Sequence, residues 1–165
     1  VISKWDMTKG ETDIKAYTEK VRQELRHLAY APIIFTSAKT GYGLDRLFSM
    51  IKKVHVQHSK RVTTGQLNRF VERVMENHPP PTKKGKRGKI FYMTQIGVQP
   101  PRFLVSVNDP KVIHFSYRRY LINEIRKEYG FEGVPLLVGY RARIKADNPK
   151  RKPKRNVKPM HKHRK

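Results

Sequence analysis

Thr63-Thr64-Gly65-Gln66-Leu67-Asn68-Arg69-Phe70-Val71-Glu72-Arg73-Val74 opens the part of the chain whose reading decides the fold. Thr63 with Gln66 three positions on is the pattern of a capping box. The threonine hydroxyl accepts from a first-turn N–H while the glutamine side chain reaches back to the cap. Leu67, Phe70, Val71 and Val74 then share one helical face. Pro79-Pro80-Pro81 ends the helix, because proline offers no N–H and clashes with the preceding turn. Ile90 to Ile96 and Arg102 to Val107 read as strands joined through the turn Gln99-Pro100-Pro101, and Asn108-Asp109-Pro110 marks another turn. Ser116 is the expected N-cap of a helix carrying Tyr117, Tyr120, Leu121 and Ile125, with Gly130 as its stop. A last strand is expected from Val134 to Arg143. Residues 63–145 therefore read α-β-β-α-β, two helices covering one face of a three-stranded sheet.

Towards the N-terminus the pattern changes. Residues 12–29 predict a helix on the spacing of Ile14, Tyr17, Val21, Leu25 and Leu28. Ile33-Ile34-Phe35 reads as a strand, and Val1-Ile2 as the end of another that is buried. Gly41 and Gly43 punctuate a loop before a helix with Leu44, Leu47, Phe48, Ile51 and Val54 on one stripe. One or two strands flanked by helices are a piece of an α/β layer that needs a larger sheet to pack against. The polar run His58-Ser59-Lys60-Arg61 reads as a boundary between the two parts.

The charge balance bears on partners. Lys and Arg number 37 against 13 Asp and Glu, a formal charge of +24 over 165 residues. Such an excess repels itself in the compact state and points to a polyanion, whose condensed counterions are released on binding. Most of the excess sits in two places. Lys83, Lys84, Lys86, Arg87 and Lys89 crowd one loop, and the stretch from Asn148 carries Lys150, Arg151, Lys152, Lys154 and Arg155 between prolines. That tail lacks apolar periodicity and is expected to be disordered until it meets phosphate; a merely solubilising extension is the alternative. Residues 90–140 hold 6 basic and 4 acidic side chains, nearly balanced. Cysteine is absent, which excludes disulfides and thiolate sites. No apolar run approaches the roughly 20 residues of a membrane helix.

Two short motifs follow the apolar strands. Ser3-Lys4-Trp5-Asp6 comes after Val1-Ile2, and Ser37-Ala38-Lys39 comes after Ile33-Ile34-Phe35 and Thr36. Both lie at strand carboxyl ends, where open α/β sheets bind ligands. A loop aspartate accepts both the ring N–H and the exocyclic amino group of guanine, a donor pair that adenine lacks. A backbone N–H near Ala38 suits the guanine carbonyl oxygen. The plainer alternatives are a helix cap for Asp6 and a turn role for Ser37.

The two motifs resemble the guanine-specificity motifs N-K-x-D and S-A-K of Ras-like translational GTPases. Arg61-Val62-Thr63-Thr64, His78-Pro79-Pro80-Pro81, Gly88-Lys89-Ile90-Phe91-Tyr92, Val107-Asn108-Asp109, Ser116-Tyr117-Arg118-Arg119-Tyr120-Leu121 and Gly130-Phe131-Glu132-Gly133-Val134-Pro135 resemble one subfamily, the tandem-domain EngA/Der GTPases of ribosome assembly. The resemblance implies that residues 1–58 end a Ras-like GTPase domain, that 61–145 form an α+β KH-like domain and that 146–165 are a basic tail. It implies GTP or GDP as cofactor of the parent protein, with Ser3, Lys4 and Asp6 in one guanine loop and Ser37, Ala38 and Lys39 in the other. It implies ribosomal RNA of the large subunit and the parent's own GTPase domains as partners, in a bacterial cytoplasm or an organellar matrix. The basic side chains of the loop and tail are the candidate RNA contacts.

Ser3 stands where the family has asparagine, a shorter tether for the base. The chain holds no phosphate-cradling G-x-x-x-x-G-K-[ST] loop and no D-x-x-G, so it is not expected to hydrolyse GTP alone. No catalytic constellation offers another reaction, and the scattered histidines suggest no metal. Gly85-Lys86-Arg87-Gly88 spells the G-x-x-G that clamps RNA between two helices of KH domains, yet here it precedes a strand. Tyr17, Tyr92, Tyr117 and Tyr120 read as core or half-buried residues at their spacing. A free-standing KH-like RNA-binding or ribosomal protein without GTPase activity remains the alternative.

Overall fold

The computed structural model describes residues 1–8, 13–83 and 85–143. Lys84 and the expected tail contacts Lys150, Arg151, Lys152, Lys154 and Arg155 lie outside the described residues, as does the tail expected over 146–165.

The capping box forms as its residues dictate. Thr63 accepts from the Gln66 N–H at 3.3 Å while Gln66 Oε1 takes the Thr63 N–H at 3.1 Å, and helix α3 runs Thr64–Asn77. A hairpin follows, β1 Thr82–Lys83 against β2 Lys86–Arg87, which the sequence pattern did not reveal. Strand β3 Ile90–Gly97 pairs antiparallel with β4 Arg102–Val107. Helix α4 Phe115–Tyr129 crosses over to β5 Leu137–Ala142, which lies parallel to β4. The sheet order is β3-β4-β5. Period-two alternation sends Met93, Phe103, Val105 and Val107 to the helical side, where they meet Leu67, Phe70 and Val71 of α3 and Tyr117, Leu121 and Ile125 of α4 in one core. Leu67, Met93, Val105, Leu121 and Ile125 are wholly buried. Of the tyrosines, Tyr117 is in this core and Tyr120 packs partly against it.

Two boundaries shift. The cap of α4 is His114, whose Nδ1 accepts from the Ser116 N–H, so Ser116 is inside the first turn. Strand β5 starts three residues later than expected because Phe131–Pro135 is committed elsewhere: Arg126 donates to the carbonyls of Phe131 and Val134 at 2.6 Å each. Gly130, at φ 83, ends α4 as read.

In the first part, helix α1 covers Ile14–Glu24 and gives way to a short 3-10 turn at Arg26–Leu28 instead of continuing to residue 29. Arg22 closes that end by donating to the Leu28 and Ala29 carbonyls. Helix α2 is Leu44–His58. The strand expected over Ile33–Phe35 is present as an isolated parallel bridge between Ile2 and Phe35. With a single short neighbour there is no ladder to extend. Val1, read as buried, is 72% exposed, and neither α1 nor α2 has a fully buried residue. Trp5, Tyr17 and Phe35 form a small aromatic cluster, with ring centroids 4.3–6.0 Å apart. The apolar stripe of α2 lines an open cleft of about 530 Å³ between Leu47, Ile51 and Val54 on one side and Val134 and Pro135 on the other.

The two parts interlock. Gln57 at the end of α2 accepts the Phe131 N–H at 2.9 Å, Lys60 donates to the Tyr129 carbonyl at 2.6 Å, and the Gly133 N–H reaches the Tyr30 carbonyl at 3.1 Å. Arg126 lies over the Tyr30 ring at 4.3 Å. Gly133 is required here, since its φ is +74 and a Cβ would stand 2.6 Å from Val54 Cγ2.

Candidate functional site

The parallel bridge sets the first site. Ile2 N donates to the Ile34 carbonyl and Thr36 N to the Ile2 carbonyl, both at 2.8 Å, so the two strand ends stop side by side. Lys4 then takes a left-handed conformation (φ 58), and a 3-10 turn, Trp5–Met7, presents Asp6. Trp5 N holds that turn against the Thr36 carbonyl at 3.0 Å. On the other strand the chain folds back through Tyr42, whose carbonyl takes the Ser37 N–H. Gly43, at φ +74, makes that return, and a Cβ on it would run into the Phe35 carbonyl oxygen.

The structure therefore brings Asp6 and Ser37 together. Ser37 is buried and donates its hydroxyl to Asp6 Oδ1 at 2.5 Å while accepting from Thr40 N at 3.3 Å. Asp6 is exposed. The Ser37 hydrogen bond, a backbone hydrogen bond, and the charges of Lys39 and then Lys4 hold its carboxyl below the ordinary carboxylate value. Asp6 does not cap a helix: the cap position belongs to Lys4 and carries no side-chain bond. Ser3, Lys4, Ala38 and Lys39 are exposed around the pair. Chemically, this is a fixed, ionised acceptor at the mouth of two loops, suited to a paired N–H donor.

The second group of candidates lies on the β1–β2 hairpin. Gly85 makes its turn at φ +72, and Lys86 and Arg87 are strand residues, so the G-x-x-G string joins no helices. Lys86, Arg87 and Lys89 are exposed. Asn108 ties the hairpin to the end of β4: its side chain accepts from Lys89 N and donates to the Arg87 carbonyl, each at 2.9 Å.

Tertiary structure adds a charge separation that counting along the chain hides. Strands β1 to β5 carry no Asp or Glu. Glu72, Glu76, Glu124 and Glu128 are on the two helices, and Asp109 and Glu132 are in loops beside α4. Every acidic residue of 90–140 thus belongs to the helical layer and its loops, while the charges on strands β1 to β5 are all basic. Arg102, Arg141 and Arg143, absent from the sequence-based candidates, are exposed on the basic layer. The signal that finds them is the absence of carboxylates within assigned strands.

A three-stranded sheet of order β3-β4-β5 under two helices is an α+β architecture of the KH-like class. Residues 61–141 match the family model described as KH-domain-like of EngA bacterial GTPase enzymes, C-terminal. The chain belongs to the EngA/Der family, and its similarity lies with the C-terminal part of those proteins. It is 42% identical over 144 residues to GTPase Der of Caldanaerobacter subterraneus, 47% over 144 residues to that of Listeria monocytogenes and 46% over 146 residues to that of Ruminiclostridium cellulolyticum. These matches cover 87–88% of this chain and 33% of each relative, so the chain spans about a third of the length of the curated proteins it matches. Among the described residues, no helix is long and apolar enough to cross a membrane.

Proposed function

We propose that this chain serves as the RNA-docking and guanine-reading end of a ribosome-assembly GTPase of the EngA/Der type. In this reading residues 1–58 end a GTPase domain, 61–145 form its KH-like domain and 146–165 its basic tail. Asp6 accepts the guanine N–H pair of GTP or GDP, Lys4 packs along the base, and the Ser37-Ala38-Lys39 loop faces the base carbonyl. The hairpin cations Lys83, Lys84, Lys86, Arg87 and Lys89 and the tail cations meet phosphates of large-subunit ribosomal RNA.

The single observation that carries the reading is the Asp6–Ser37 hydrogen bond, which joins two motifs 31 residues apart into one ionised acceptor. The relatives named GTPase Der support the same assignment. The test is Asp6→Asn in the protein with its full nucleotide site. Asparagine replaces one acceptor oxygen with an N–H₂ donor, so GDP affinity is expected to fall while affinity for xanthosine diphosphate, which offers a carbonyl in place of the amino group, rises. Unchanged GDP affinity refutes the role of Asp6. Ribosomal RNA binding is expected to weaken steeply with salt and on deletion of 148–165. RNA affinity without any response to guanine nucleotide favours the free-standing RNA-binding module instead.

A further inference from the structure

Among the described residues, helices cover only one face of the sheet. The cross-strand rows on the helix-free side are Tyr92–Ser106–Arg141 and Thr94–Leu104–Gly139, fixed by the register of β3 on β4 and of β4 on β5. Ile96 and Leu137 are 57% and 49% exposed there. Gly139 has no side chain to fill the space beside Leu104. The face is therefore a shallow mixture of aromatic, aliphatic and cationic groups without a carboxylate.

One end of it is organised further. Phe91 sits where the β3–β4 register shifts between Ile90 and Tyr92. Lys89 Nζ lies 5.7 Å from its ring centroid and the Arg143 guanidinium 4.8 Å. Arg141 donates to the Tyr92 hydroxyl at 3.3 Å. Asn108 anchors the hairpin at the same end, and Arg143 N bonds the Val107 carbonyl at 2.8 Å. Segments more than 50 residues apart in sequence thus bring Lys89, Arg141 and Arg143 to one corner around two aromatic rings, with the Arg87 backbone tied beside it through Asn108.

We propose that this helix-free face binds a single-stranded RNA segment. Phosphates run along Arg87, Lys89, Arg141 and Arg143, and unstacked bases lie against Phe91, Tyr92 and the exposed Leu137. The choice of occupant follows from charge and shape. A surface bearing cations and no acid complements a polyanion. Single strands are held by such grooves together with aromatic faces on which bases stack. A duplex, whose bases are stacked inward, would cover the cations but leave Ile96 and Leu137 wet. The G-x-x-G string joins no helices here, so the usual KH clamp between two helices is not available to it and the sheet face is a separate surface. This inference rests on the RNA-docking reading above and assigns it a surface.

The test uses the full chain and a fluorescein-labelled oligouridine of about a dozen nucleotides, within the site sizes of single-strand binders. Arg141→Glu with Arg143→Glu is expected to weaken binding at least tenfold, and Phe91→Leu about fivefold, since one stacked base is worth ~1–3 kcal/mol. The control is Arg119→Glu with Lys127→Glu, the same charge change on exposed positions of the helical layer, which is expected to cost less than threefold. Thermal melts and circular dichroism establish that each variant is folded. A wild-type chain without RNA affinity refutes the docking reading itself. Wild-type affinity with equal losses from the sheet and helix pairs leaves docking intact and overturns the sheet-face assignment. So does undiminished affinity in folded sheet variants.

Discussion

The Ser37 hydroxyl donates to the Asp6 carboxylate at 2.5 Å across 31 residues of chain. Both residues gain from the contact. Ser37 satisfies a buried hydroxyl, and Asp6 is turned and kept ionised at the surface.

Replacing Ser37 with alanine should raise the Asp6 pKa towards its ordinary 3.8. Because the folded value is depressed, the stabilisation from Asp6 is complete above the unfolded value and disappears as pH falls through the folded one. Serine-to-alanine should therefore flatten the acid limb of the stability curve below about pH 4. Carboxyl chemical shifts of Asp6 followed through an acid titration check this, and an unmoved midpoint contradicts it.

Gly43→Ala asks a residue with a Cβ to hold φ +74 while facing the Phe35 carbonyl. The left-handed backbone alone costs about 1–2 kcal/mol, and the clash adds to it. The expected result is a lowered melting temperature and faster amide exchange at Ser37, whose N–H bonds Tyr42 across the turn. Gly41→Ala, with open space about the site, should cost less.

Gln95 is a buried polar clasp between the sheet and the start of α3. Its Oε1 accepts the Val62 N–H at 2.7 Å, and its Nε2 donates to the Lys60 and Gly97 carbonyls at 3.0 and 3.2 Å. Leucine fits the volume but orphans the Val62 N–H, so Gln95→Leu should destabilise by about 1–3 kcal/mol. Chemical denaturation measures it, and a neutral result would show that water replaces the amide.

Tyr140 illustrates the opposite case. Its hydroxyl is buried without a hydrogen-bond partner among the described residues, and burial pushes its pKa up to about 12, against a smaller lowering by Arg118. A raised phenol stabilises the fold below its unfolded value and loses that contribution as pH rises from about 10 through 12. Tyr140→Phe keeps the ring under the Arg118 guanidinium, removes the orphan and should be neutral or stabilising by about 1 kcal/mol. Its alkaline unfolding midpoint should move upward; a downward shift contradicts the account.

The local patterns carried much of the fold. Thr63 and Gln66, the 67-70-71-74 stripe and the glycine at 130 are short-range signals, and each acts within a few residues of itself. The hairpin 82–87 leaves no pattern in the sequence, because two-residue strands have no period to read. The helix over 12–29 ends earlier and β5 starts later than apolar spacing indicates, because Arg22 and Arg126 bond to carbonyls that spacing does not register.

By itself the sequence determined the α-β-β-α-β order, the basic excess and the two loops at strand ends, since these depend on residue type and near-neighbour geometry. Only the tertiary structure decided that Ser37 fixes Asp6, that Gln57 and Arg126 knit the two parts together, and that a sheet layer without a single carboxylate stands behind a mixed helical one. Those are facts about side chains far apart along the chain. Hydrogen bonds and Coulomb fields act through space, so the count of charges had to be folded before it acquired a face.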